Sequence, residues 1–84
     1  MATSYPNITL NAGWTDIAAV QAGIASAAGV TVQNVGLGTI SVFFGGASAP
    51  AAGHVLARFA GFYDKNGSAH IWVKGPGTVA LSKE

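Results

Sequence analysis

The chain has 84 residues, 50% of them hydrophobic and 8% charged, with a formal net charge of +1. A disordered chain needs low hydrophobicity and high charge, and a coiled coil needs Glu and Lys in quantity, so this composition excludes both. No cysteine is present, so a disulfide framework and a Cys-based zinc site are excluded too, and one small domain must stand without covalent staples.

The basic residues Arg58, Lys65, Lys74 and Lys83 are spread over the last third, and Asp16 is the sole charged side chain before Arg58. A surface that holds phosphates clusters Lys and Arg on one face. Nucleic acid and membrane are therefore not expected partners. Met1 to Pro6 has no basic side chain and no apolar h-region follows it, so no signal peptide is expected. Residues 17–57 carry no formal charge, but Gln21, Ser26, Thr31, Gln33, Asn34, Thr39, Ser41 and Pro50 interrupt them. A spanning helix needs about 18 or more consecutive apolar residues. The expectation is a protein of the cytoplasm, or one built into an assembly there.

Residues 1–6 read as an N-terminal arm, with Pro6 at its boundary, and residues 7–84 as a single β domain. Asn7 to Asn11 alternates, with Ile8 and Leu10 on one face, which predicts a half-buried strand. Thr15 or Asp16 then caps a short helix whose apolar face carries Ile17, Val20 and Ile24, with Gly23 as its stop. Residues 24–29 admit either a continued helix or a loop. Val30 to Val35 is rich in β-branched residues and predicts a strand. Gly36-Leu37-Gly38 predicts a turn into a second strand, Thr39 to Phe44, so that the two form a hairpin.

Residues 45–53 are a loop of small side chains, mobile unless a neighbour pins it. His54 to Ala60 is a strand candidate without strict alternation. Gly61-Phe62-Tyr63 leads into Asp64-Lys65-Asn66-Gly67, a tight turn favoured by Asn-Gly. Ala69 to Lys74 predicts a strand with His70, Trp72 and Lys74 on one face and Ile71 and Val73 on the other. Gly75-Pro76-Gly77 matches a type II turn into a closing strand, Thr78 to Ser82, with Val79 and Leu81 inward. The expected fold is mainly β, a small antiparallel β-sandwich or barrel, jelly-roll-like, with one short helix.

Chemistry is sparse. His54, His70 and Asp64 supply the side chains for a three-ligand metal site, but no spacing requires one, and no metal or cofactor is expected. Ser68, His70 and Asp64 make a superficial nucleophile set without a nucleophile elbow, so no catalytic residue is expected. Asp64 to Gly67 lacks the further oxygen ligands of a calcium loop. Trp14, and Trp72 beside His70 and Lys74, have the chemistry of a sugar-stacking platform, but core or interface packing is the favoured reading of both.

A domain of this size buries only about 60–65% of the surface that its unfolded chain exposes. Phe43 lies opposite Phe44, and Leu56 opposite Phe59, so some strands look apolar on both faces. Large exposed apolar surface marks interaction sites. The expectation is self-association or packing on a larger scaffold, with Tyr5, Trp14, Phe43, Leu56, Phe62 and Trp72 as interface candidates.

The run Gly29-Val30-Thr31-Val32-Gln33-Asn34-Val35-Gly36 resembles a strand of small bacteriophage virion structural proteins. His70 to Gly75 with Gly77 to Ser82 looks like their Trp-containing C-terminal hairpin, and Pro50 to Phe59 like the loop and strand joining two hairpins. The likeness spans roughly Thr9 to Ser82. It implies a non-enzymatic virion protein, assembled in the host cytoplasm, that decorates or cements a capsid as a homo-oligomer, with a trimer expected. Its partners would be its own copies and the major capsid or another virion protein. The alternative it implies is a head-fibre, tail or baseplate accessory that binds a receptor or carbohydrate through Trp72, His70 and Lys74.

Overall fold

Val30 and Val32, Ile40 and Val42, and Ile71 and Val73 are each two residues apart, so each pair shares one side of its strand, and all six are at most 2% exposed. That period builds the whole domain. The computed structural model describes residues 3–65 and 67–84. Its strands are β1 (Thr3–Leu10), β2 (Trp14–Asp16), β3 (Val30–Asn34), β4 (Ile40–Phe44), β5 (His54–Leu56), β6 (Gly61–Asp64), β7 (Ile71–Lys74) and β8 (Gly77–Lys83). Between β2 and β3 lie α1 (Ile17–Val20) and a 3-10 turn, Ala22–Ile24.

The strands form two four-stranded antiparallel sheets, β1-β8-β3-β6 and β2-β7-β4-β5. β1 pairs with β8, β2 with β7, β3 with β6 and β4 with β5. The chain is thus one long folded hairpin, rolled so that alternate rungs fall in opposite sheets, which is the jelly-roll form of the β-sandwich. Leu10, Val30, Val32, Val79 and Leu81 of the first sheet share one core with Ile40, Val42, Leu56, Ile71 and Val73 of the second. Ile17, Ala18 and Ile24 complete it. Phe62 of β6 packs edge-on against Phe44 of β4, with ring centroids 4.8 Å apart, and His54 of β5 lies 5.1 Å from it. These rings pack across the gap between the β6 edge of one sheet and the β4–β5 edge of the other.

The expected strands largely form, but their partners differ from expectation. Only β4 and β5 are consecutive and paired; every other link crosses between sheets. Gly36-Leu37-Gly38 is therefore not a hairpin turn, and β3 pairs with β6 and β8 instead of β4. The reason is Asn34, which continues the inward parity of Val30 and Val32 and is fully buried. Its amide Nδ2 donates to Gly38 O (2.7 Å) and Leu56 O (3.0 Å), and its Oδ1 accepts from Gly36 N–H (3.1 Å). A side chain so placed ties the β3–β4 link to β5 of the other sheet, bending the chain into an arch. Gly75-Pro76-Gly77 likewise links two sheets, so the Trp-containing segment is not a hairpin.

Four further expectations change. Residues 3–5 are no free arm: they pair with Leu81–Lys83 of β8, with a register shift between Tyr5 and Ile8 that absorbs Pro6. Met1 and Ala2 of that arm, and Asn66 of the Asp64–Gly67 turn, lie outside the described residues. The helix is a single turn, and the chain rewinds as 3-10 after Gln21, so Val20 leaves the Ile17 face and is 60% exposed. The strand expected over residues 54–60 ends at Leu56, and Phe59 takes a positive φ of 66°. Gly61 to Asp64, read as an approach to a turn, is a full strand.

Candidate functional site

The outer face of the second sheet gathers most of the chemistry-bearing side chains. Since Ile71, Val73, Val42 and Leu56 point inward, parity sends Trp72, Lys74, Phe43, Ser41 and Val55 outward. Register then sets Asp16, Trp72 and Phe43 in one row across β2, β7 and β4. Trp14, Lys74, Ser41 and Val55 form the next row, which reaches β5. Three aromatic rings and an acid thus share one face.

The loop at residues 45–53 lies back on this face. Gly45 N–H donates to His70 O (2.8 Å), and the Trp72 indole Nε1 donates to Gly46 O (2.9 Å). At the far end of the loop, a Cβ on Gly53 would stand 2.7 Å from Val42 O and 3.0 Å from the Trp14 ring, so only glycine fits there. The loop, expected to be mobile unless a neighbour pins it, is pinned at both ends by the sheet, and Trp14 and Trp72 are half-buried beneath it.

Asp16 anchors the face. Its Oδ1 accepts from Ala18 N–H (3.1 Å), capping α1, and from Ile71 N–H (3.0 Å) on β7. Its Oδ2 lies 2.7 Å from His70 Nδ1. A carboxylate only accepts here, so Nδ1 carries the proton and donates. Burial works against the charge on Asp16. The hydrogen bonds from His70, Ile71 and Ala18, with the attraction of the imidazole, outweigh it and hold the carboxyl below its ordinary range.

A carboxylate orienting an imidazole is half of a hydrolytic triad. The other half is not assembled, because the Ser68 hydroxyl donates to Asp64 Oδ2 (2.8 Å) and Asp64 Oδ1 accepts from Gly67 N–H (3.3 Å). Ser68 with Asp64, and His70 with Asp16, are two separate pairs. His54 stacks on Phe62 instead of joining either pair. Among the described residues no three His, Cys, Asp or Glu side chains cluster as metal ligands would. A shallow depression of about 330 Å³ on the outer face of the first sheet is lined by neutral side chains such as Ser4, Thr31, Gln33 and Ser82. No helix among the described residues is long and apolar enough to cross a membrane.

The interface candidates divide. Leu56 is 6% exposed and belongs to the core, a correction forced by its inward parity on β5. Tyr5 and Phe62 are half-buried against the core. Trp14 and Trp72 lie under the loop, and Phe43 is 37% exposed. Apart from Val20, which the rewinding of the helix leaves 60% exposed, the three most exposed large apolar side chains are Leu37 at 85%, Val55 at 70% and Phe59 at 60%. Asn34 links the segments that carry all three, since it bonds Gly38 O and Leu56 O, and its own carbonyl accepts from Phe59 N–H (2.6 Å). No family of known proteins, no curated protein and no solved structure matches the chain.

Proposed function

We propose that this chain is a non-enzymatic virion structural protein that decorates or cements a bacteriophage capsid and works by docking as an oligomer. The exposure of Leu37, Val55 and Phe59 around Asn34 carries the reading. The domain already has a filled core, and no buried side-chain polar atom among the described residues lacks a partner. All three side chains lie outside that core, Phe59 beside the Arg58 guanidinium, and exposed apolar surface marks a contact with another macromolecule. The non-enzymatic part of the reading draws its support from the separation of the Ser68–Asp64 pair from the His70–Asp16 pair. Jelly rolls recur in capsid proteins and in lectins; that is an analogy of fold, which agrees with a virion role without requiring it.

The second reading is a carbohydrate- or receptor-binding module of a fibre, tail or baseplate. The row of Trp72 and Phe43 beside Trp14 and Lys74 favours it. Against it, the protein's own loop already takes the Trp72 indole hydrogen and lies against Trp14.

Particles made with and without this protein decide between the readings. A cement protein is present in many copies per particle, and its loss lowers the temperature at which the particles release their contents. Unchanged thermal release refutes cementing. A low copy number, with sugar binding abolished by Trp72→Ala, establishes the second reading instead.

A further inference from the structure

An open sheet edge is a row of unpaired backbone donors and acceptors, and proteins that stay apart protect such rows. This sandwich has four edges: β1 and β6 in the first sheet, and β2 and β5 in the second. β1 is guarded by Pro6 and by the register shift between Tyr5 and Ile8. β2 and β5 are three residues long. β6 has neither proline nor bulge, and its only charge, Asp64, is its last residue and is turned back onto Gly67 and Ser68.

The backbone of β6 is also aimed outward. Asn34 N–H donates to Ala60 O (3.0 Å) and Gly29 N–H to Asp64 O (2.9 Å), so Ala60, Phe62 and Asp64 present their polar groups to the β3 side. The N–H and C=O of Gly61 and Tyr63 therefore face away from the sheet. Both residues are exposed, Tyr63 at 49%. Gly61 has no side chain to hold another backbone off.

We infer that β6 is a self-pairing edge, on which a second copy of this chain adds its own β6 in antiparallel register about a two-fold axis. Parity fixes that register. Gly61 faces Tyr63 of the second copy in two reciprocal hydrogen-bonded pairs, and Phe62 faces its own counterpart on the axis. Each Tyr63 ring leans back over its own sheet, where its hydroxyl donates to Glu84 Oε1 (2.9 Å), so the backbone of Gly61 and Tyr63 stays uncovered at the edge. Phe59, just before β6 with the Arg58 guanidinium 4.6 Å from its ring centroid, borders the contact. A two-fold contact of this kind builds dimers or even-numbered assemblies in place of the trimer implied by the resemblance. The inference rests on the oligomeric reading above and names its surface.

Sedimentation and amide hydrogen exchange on the unmodified full chain, over a range of concentrations, test it. The dimer mass appears as concentration rises, and exchange at the Gly61 and Tyr63 amides slows by roughly tenfold or more in step with it. Tyr63→Pro removes an outward backbone donor that the monomer does not use, along with the exposed hydroxyl bond to Glu84, and the variant stays monomeric at every concentration. If that variant fails to fold, the exchange data on the unmodified chain still decide. An oligomer in which both amides keep exchanging freely overturns the β6 pairing and leaves the oligomeric reading standing. A monomer at every concentration overturns the pairing, and particle binding then decides the wider reading alone.

Discussion

His70 Nδ1 lies 2.7 Å from Asp16 Oδ2, across fifty-four residues of sequence. Around that contact one carboxylate caps α1, holds the start of β7 and orients an imidazole. A group whose folded pKa is depressed stabilises the fold above its unfolded pKa, and that stability is lost as pH falls through the folded value. For Asp16 the ordinary value is 3.8 and the folded one is lower, so its contribution is present above the ordinary value and is lost progressively as pH falls from there through the folded one. Urea titrations between acid and neutral pH should show this loss, and Asp16→Asn should flatten it. Asp16→Ala also removes the cap and should cost ~1–3 kcal/mol at neutral pH.

Asn34 is the second point at which one side chain holds several segments. It is fully buried and satisfies two carbonyls and one amide. Asn34→Ala strands those groups and should cost about 2–4 kcal/mol, read as a fall in the denaturant midpoint at unchanged slope. Asn34→Asp keeps the shape but turns an acceptor toward Gly38 O and Leu56 O. Its loss of stability should be larger at pH 7 than in acid, where a protonated carboxyl again has a hydrogen to donate.

Much of the inward pattern was legible because strand period alone decides which side chains share a face. Ile8 with Leu10, Ile40 with Val42, Ile71 with Val73 and Val79 with Leu81 follow from it directly. Pairing was not legible, because period says nothing about partner. Gly36-Leu37-Gly38 satisfies the rules of a hairpin turn equally well as an arch, and only the burial of Asn34 separates the two. The face carrying His70, Trp72 and Lys74 was visible, and so was the cap at Asp16. Their meeting was not, since register between β2 and β7 is set by the whole roll. The exposed Leu37 and Phe59 sit in links whose conformation no periodicity constrains, whereas Val55 is turned outward by its parity on β5.

Gly53 tests the packing of the loop against the sheet. Its missing Cβ would overlap a backbone oxygen, Val42 O, which cannot turn aside as a flexible side chain would. Gly53→Ala should therefore destabilise by ~1–3 kcal/mol, the usual range for overpacking, in thermal or urea unfolding. Gly38→Ala is the control. A Cβ there meets nothing within 4 Å, and the change should be near neutral.

The other end of the loop hangs on two hydrogen bonds, Trp72 Nε1 to Gly46 O and Gly45 N–H to His70 O. Trp72→Phe keeps a ring on the outer face of β7 but deletes the first bond. A hydrogen bond of this kind contributes about 1 kcal/mol net, so the open population of the loop should rise roughly fivefold. Opening exposes the run of small residues from Ala47 to Ala52 to a protease that cuts after alanine. Nicking there should accelerate by the same factor, and the Gly45 amide should exchange faster, while the global unfolding midpoint moves little because Gly46 and the loop lie outside the core. If nicking and exchange at Gly45 are unchanged in Trp72→Phe, the indole does not hold the loop. The loop is then held by its packing against Trp14 alone, and Gly53 becomes the residue on which that packing depends.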